Sequence, residues 1–170
     1  MDFVHLHCHS NYSLLMGGSS AGALLARAKS LGMSHLALTD TNNLYGAYAF
    51  CKAAEEVGIE PIVGAQVGFS DGDVVLLVMD DEGYGNLCEI LTKHSVDGPQ
   101  DSCESLATYQ NGLIALVRDV EQAKRLAAVF PSGDLYLEVN VGEALCLPDL
   151  WNRTYPVGAV LALPLIRSAR

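Results

Sequence analysis

Short apolar runs alternate with helix-period segments along most of the chain. Several runs are apolar at nearly every position, which is typical of strands covered on both faces by helices. The pattern predicts strands over Phe3–His7, His35–Thr39, Ile62–Phe69, Val74–Met79, Leu113–Val117, Leu135–Val139 and Gly158–Leu163. This alternation indicates an α/β fold.

Between the runs, apolar residues recur at helical spacing, and capping signals mark the helix ends. The predicted helices are 21–31, 45–57, 82–93 and 119–130, with a weaker one over 143–153. Ser70-Asp71-Gly72 leaves no room for a helix and predicts a hairpin, so the sheet should be mixed at that point. Residues 94–112 are polar and contain Gly98-Pro99, which predicts a surface loop with room for one helical turn.

The chain length limits the architecture. The 170 residues suit one domain with one core, whereas a full eightfold α/β barrel needs about 250 residues. An open α/β sheet and a pared-down barrel both fit seven strands. We favour a distorted, TIM-like seven-stranded (β/α) barrel, with residues 1–170 forming a single domain.

Charge and composition exclude several classes of protein. Ten basic against 20 acidic residues give a net charge of −10, which argues against nucleic-acid binding by this chain alone. The five cysteines form no CxxC pair and suggest neither a zinc site nor a disulfide framework. The N-terminus lacks signal-peptide features, and the longest nearly apolar run, Val157–Ile166, is about half a membrane span. A cytoplasmic location is therefore predicted.

The first strand carries the most suggestive chemistry, His5-Leu6-His7-Cys8-His9. Alternate residues of a strand share a face, and His7 and His9 lie near its carboxyl end, where α/β barrels hold their active sites. Two imidazoles can chelate one divalent ion, or they can hydrogen-bond within a polar barrel mouth. Asp40 ends the second strand and is expected to point into the mouth, as a metal ligand, a helix cap or a partner for histidine.

The opening stretch Phe3–Leu15 resembles the polymerase-and-histidinol-phosphatase (PHP) domain, and more closely its version in bacterial DNA polymerase III alpha subunits. Similar segments recur at 26–33, 37–40, 43–47, 58–65, 82–87, 112–116 and 135–139. The resemblance implies a seven-stranded barrel with a metal cluster in its mouth. Active members of the family are phosphoesterases or metal-dependent exonucleases. In the polymerases the domain packs against the polymerase body and in some members docks the proofreading exonuclease.

Position by position, the resemblance implies a dismantled metal site, because only His7 and His9 match expected ligands. The other expected ligand positions hold Met16, Thr41, Gln66, Asp73, Arg118-Asp119 and Leu163–Arg167. A thioether suits soft metals, and an inward Arg118 would place positive charge where a cation should lie. We therefore expect no catalytic residues, a vestigial site at His7, His9 and Asp40, and no complete cofactor. At most one divalent ion, Zn or Mn, would bind weakly at His7 and His9.

The sequence thus predicts a non-catalytic structural and interaction module of a polymerase III alpha-type protein, either within a longer polypeptide or as a stand-alone paralogue. Its partners would be the polymerase body and the proofreading exonuclease, with no direct nucleic-acid or membrane contact. Two alternatives stay open. One is a metal-dependent phosphoesterase or 3′–5′ exonuclease that uses His7 and His9 with Asp40 and Asp73. The other is binding of a small anion without chemistry.

Overall fold

The computed structural model describes residues 3–131, 133–140 and 160–164. In these ranges the chain forms helices that alternate with the strands of one sheet. In chain order the elements are α1 (Ala21–Ser30), β1 (His35–Thr41), α2 (Ala47–Val57), β2 (Glu60–Phe69), β3 (Gly72–Val78), α3 (Asp81–Asp97), α4 (Ser102–Tyr109), β4 (Leu113–Val117), α5 (Val120–Leu126), β5 (Leu135–Asn140) and β6 (Val160–Pro164).

The strands form a six-stranded sheet whose spatial order, β1-β2-β3-β4-β5-β6, follows the chain. The sheet is mixed, because β1 with β2 and β4 with β5 are parallel while the other three pairs are antiparallel. The hairpin predicted at Ser70-Asp71-Gly72 is confirmed, since Phe69 pairs directly with Gly72. Gly72 has φ 131°, a conformation that favours glycine.

The N-terminal segment lies beside β1, but the predicted first strand is reduced to one parallel bridge between His5 and Leu36. Ala37 donates its N–H to the His5 carbonyl (2.9 Å) and Thr39 to that of Cys8 (2.8 Å). The Cys8 N–H instead binds the side-chain oxygen of Thr39 at 2.8 Å, which breaks the regular ladder. The described residues therefore form six strands with one added bridge, where the sequence predicted seven strands.

The helix predictions hold with one exception. α1 and α2 lie within the predicted ranges, α3 runs longer to Asp97, and α5 ends earlier at Leu126. The surface loop with one helical turn predicted over 94–112 is wrong in extent, because α3 runs to Asp97 and α4 occupies eight residues, Ser102–Tyr109. Asp101 caps that helix by accepting from the N–H groups of Cys103 and Glu104, a signal that the Gly98-Pro99 dipeptide obscured. The helix predicted over 143–153 lies outside the described residues.

One face of the sheet, the outer face, packs against the helices, and the opposite face, the inner face, carries a smaller apolar cluster. The outer positions of β2 to β5 pack against α3, α4 and α5, while Leu36 and Leu38 of β1 pack with α1 and α2. The opposite face forms a smaller apolar cluster centred on Ala37, Val75 and Leu116. Since side chains alternate along a strand, the residues that continue this inner face towards one end of the sheet are Gln66, Asp73, Arg118 and Glu138. No helix within the described ranges is long and apolar enough to cross a membrane.

Candidate functional site

His7 and His9 lie together at the polar end of the inner face, where His7 contacts Gln66 and Glu138. We call this end of the sheet the mouth. The Nε2 atoms of the two histidines are 2.9 Å apart, and the two rings are inclined at 50°. The structure thus brings together the histidine pair that the sequence singled out. Burial first, and the neighbouring His7 second, lower the pKa of His9 below its ordinary 6.5. A neutral imidazole is the form that binds a metal ion.

Gln66 on β2 supplies a third polar atom to the same point. Its Oε1 lies 3.0 Å from His7 Nε2, while its Nε2 donates to Asp73 Oδ2 at 2.8 Å. The carboxylate of Asp73 fixes the amide orientation, because only the NH₂ end can donate to it. The oxygen of Gln66 is therefore aimed at the histidines, and Asp73 is engaged by the amide.

Glu138 on β5 faces the other side of the His7 ring. Its Oε1 is 2.8 Å from His7 Nδ1 and accepts from Arg118 through Nε at 3.1 Å and Nη2 at 2.8 Å. Burial, the largest single influence, opposes ionisation of this carboxyl. The hydrogen bonds and charges of His7 and Arg118 together outweigh it and hold the pKa of Glu138 below its ordinary 4.5. A carboxylate, a guanidinium and an imidazole thus meet at one buried oxygen.

Arg118 points inward, as the sequence analysis considered, but Glu138 was not assigned to the site. Its signal was available, since Glu138 is the single charged residue in the apolar run Leu135–Val139. A buried carboxylate on an apolar strand needs a partner. The partners were not evident because His7 is 131 positions away in the sequence.

Asp40 is placed differently from the prediction. Its carboxylate accepts from the Ser10 N–H and Oγ, both at 2.7 Å, and from Ser13 Oγ at 2.5 Å. By strand alternation Asp40 shares the helix-facing side of Leu38, so its expected orientation into the mouth is wrong. It instead fixes the loop that follows the histidines.

The remaining positions compared with the family supply few further donors. Met16 is 66% exposed on that loop. Thr41 Oγ1 is buried at the mouth and has no hydrogen-bond partner among the described residues. Of 163–167, the structure describes a strand as far as Pro164, and the rest lie outside the described residues.

The donor set was tested against the metal cluster that the family implies. In the part of the chain that the structure describes, no three His, Cys, Asp or Glu side chains are grouped to hold an ion. Arg118 engages the carboxylate of Glu138, Gln66 engages that of Asp73, and Ser10 and Ser13 engage that of Asp40. None of these three carboxylates is free to bridge two cations. The residues do not fit a multi-ion cluster. What converges is His7 Nε2, His9 Nε2 and Gln66 Oε1, a neutral set for one ion.

A cleft of about 160 Å³ opens beside this network, floored by Val75 and Leu116. Arg118, Glu138 and Gln122 line its walls. Gln122 is 3% exposed and its Nε2 has no hydrogen-bond partner among the described residues. The mouth is therefore polar at its rim and apolar at its floor.

Comparison with known proteins identifies the family. The model of the PHP domain matches residues 5–123 of this chain. The chain belongs to the PHP domain family. The resemblance noted in the opening residues is thus confirmed.

The curated relatives compared with this PHP domain are DNA polymerase III alpha subunits and error-prone DNA polymerases. The chain is 35% identical over 131 residues to the DNA polymerase III subunit alpha of Borreliella burgdorferi, covering 66% of this chain and 11% of that protein. It is 35% identical over 205 aligned positions to the error-prone DNA polymerase of Symbiobacterium thermophilum, covering 98% of this chain and 19% of that protein. The chain therefore spans between a tenth and a fifth of these two relatives.

A solved structure supports the fold. A candidate metal-dependent phosphoesterase from Bifidobacterium adolescentis superposes with a TM-score of 0.58 over 88% of this chain and 82% of that one. The sequence identity is 14%. This similarity concerns the fold alone.

Proposed function

We propose that this PHP domain is a non-catalytic structural and interaction module of a bacterial DNA polymerase III alpha-type protein. It packs against the polymerase body, and the proofreading exonuclease is its second partner. Residues 1–170 form one domain, a distorted seven-stranded barrel in which the N-terminal segment, joined to β1 by a single bridge, takes the position of the first strand. DNA polymerisation belongs to a region of the polypeptide outside these residues.

The ion pair in the mouth carries the proposal. Metal-assisted hydrolysis needs cations that generate hydroxide and offset charge on the phosphate. Here the buried carboxylate of Glu138 forms an ion pair with Arg118 and lies at hydrogen-bond distance from His7, and Gln66 has no charge to offer a second ion. The ion pair of Arg118 with Glu138 stabilises the mouth, which supports a structural role.

One observation favours a second candidate, a phosphoesterase or 3′–5′ exonuclease with a reduced site. His7 Nε2 lies 2.9 Å from His9 Nε2 and 3.0 Å from Gln66 Oε1. These three residues would hold a single Zn or Mn ion, which would supply activated water. Asp40 would not join them directly, since its carboxylate is taken by Ser10 and Ser13.

Metal content and turnover, measured on one preparation, separate the two candidates. The chain is stripped with a chelator, reloaded with Zn²⁺ or Mn²⁺, dialysed, and assayed for bound metal and for hydrolysis of a phosphomonoester and a DNA 3′ end. His9→Ala is compared with His35→Ala, a control at an exposed histidine. We expect substoichiometric metal and no turnover in any of them. Stoichiometric metal with turnover abolished in His9→Ala, but not in His35→Ala, would establish the enzyme instead.

A further inference from the structure

Six large apolar side chains on the loop after the histidines and at the start of α2 are exposed in the described part of the chain. They are Tyr12 (44% exposed), Leu14 (84%), Leu15 (106%), Met16 (66%), Tyr45 (78%) and Tyr48 (81%). We call these side chains the Tyr–Leu surface. The ring centroids of Tyr12 and Tyr45 are 6.5 Å apart, so the loop after the histidines and the start of α2 form one continuous patch.

The sequence that builds the Tyr–Leu surface is free of charge. No Asp, Glu, Lys or Arg occurs from Ser10 to Ala26 or from Thr41 to Cys51, although 18% of the chain is charged. Solvated surfaces carry charges, whereas the centres of protein interfaces lose them and gain tyrosine and methionine. The lack of basic residues also argues against nucleic acid as the ligand.

The loop of the Tyr–Leu surface is rigidly held despite its exposed tip. The Asp40 carboxylate accepts hydrogen bonds from the Ser10 N–H and from Ser13 Oγ. The Ser13 carbonyl in turn accepts from the N–H groups of Met16 (3.0 Å) and Gly17 (2.9 Å). Leu15 lies in the left-handed region at φ 64°, a strained conformation for leucine that surrounding structure must enforce. A preorganised apolar tip lowers the entropic cost of association.

We infer that the Tyr–Leu surface is the face on which this domain docks the polymerase body. The inference rests on the proposed function. The matched relatives place this domain in polypeptides of which it forms between a tenth and a fifth, so their remaining mass is tethered beside it at high effective concentration. Obligate interfaces are more apolar than transient ones. An uncharged, aromatic surface therefore fits a partner that is permanently attached in the same polypeptide.

The test adds this chain to the Symbiobacterium thermophilum error-prone polymerase from which the matched region has been removed. Binding is measured by calorimetry, and the chain's own association state by sedimentation. Leu15→Asn keeps a residue that tolerates left-handed backbone, and Tyr48→Gln keeps a good helix former. Val120→Ser, at an apolar residue of α5 that is 49% exposed, is the matched control. Unchanged thermal midpoints show that the variants are folded.

We expect the unmodified chain to bind the polymerase body one to one. Leu15→Asn and Tyr48→Gln should each weaken binding by roughly tenfold or more, as for central residues of an interface, and Val120→Ser should not. Equal binding by all variants would overturn this surface and leave the proposed function standing. Absence of binding by the unmodified chain would count against both. Self-association that disappears in Leu15→Asn, without binding to the polymerase body, would make a second copy the occupant.

Discussion

Removing the guanidinium of Arg118 tests whether protein charges hold the mouth together. Arg118→Met keeps an apolar stem but deletes both hydrogen bonds to Glu138, at 3.1 and 2.8 Å. The Glu138 side chain is 1% exposed and would retain His7 Nδ1 as its hydrogen-bond partner in the described part of the chain. Breaking a buried ion pair costs about 3–5 kcal/mol, but the Arg118 side chain is 53% exposed and its contribution is screened. We expect a loss of about 2 kcal/mol in the free energy of unfolding, or roughly 4–8 °C in Tm.

The ion pair of Arg118 with Glu138 also predicts that the free energy of unfolding depends on pH. Because the pKa of Glu138 is below its ordinary 4.5, its ionisation stabilises the fold above that value. This contribution is lost as the pH falls through the lowered pKa. Removal of Arg118 raises the pKa of Glu138 towards its ordinary value, so the variant has less stability that depends on this ionisation and loses less of it on acidification than the parent. The difference between the two proteins should be greatest at neutral pH and shrink below about pH 4.

Urea denaturation followed by circular dichroism at pH 7 and at about pH 3, well below the ordinary pKa of Glu138, measures both effects. Arg118→Lys should recover only part of the loss, because an ammonium cannot reproduce the planar fork of the guanidinium. Glu138→Gln and the double variant complete a mutant cycle that isolates the coupling. A neutral-pH stability of Arg118→Met within about 0.5 kcal/mol of the parent, or a cycle without coupling, would refute the reasoning.

Three further substitutions test the loop that follows the histidines and the packing of α3. Asp40→Asn replaces an acceptor of three hydrogen bonds by an amide with only one oxygen. It should cost about 2–3 kcal/mol and speed amide hydrogen exchange in residues 11–17, whereas unchanged exchange there would argue against the clamp. Gly83→Ala would drive a Cβ into the backbone of Gly112 and should cost about 3 kcal/mol in thermal unfolding. Gly85→Ala, with open space on the same helix, should instead stabilise by about 0.5–1 kcal/mol, and equal effects at the two positions would contradict this account.

Much of the fold could be predicted from the sequence because its signals are local. Apolar runs, helical spacing and the Asp71-Gly72 turn depend on neighbouring residues alone. The length of the first strand was overestimated, because the Cys8 N–H donates to the Thr39 side chain and not to a backbone carbonyl of β1. α4 was missed because its N-terminal cap at Asp101 is a weaker signal than the preceding Gly98-Pro99.

The candidate site was harder to predict, since its contacts join distant parts of the chain. The histidine pair is local and was found. The contact of Glu138 with Arg118 joins β5 to the residue that follows β4, and its role depends on which face of the sheet each residue occupies. The orientation expected for Asp40 was wrong for the same reason. Alternation along a strand shows which residues share a face of the sheet, but not which face lines the mouth.

The agreement between strand order and chain order has a consequence for how the protein acquires its structure. Each of β2 to β6 joins an edge that the preceding strand has already provided, so every new pairing closes only the connection to its immediate predecessor. Loop-closure entropy stays low at each step. Assembly can then proceed from the amino end as the polypeptide leaves the ribosome, without waiting for a distant carboxyl-terminal strand to complete a nucleus.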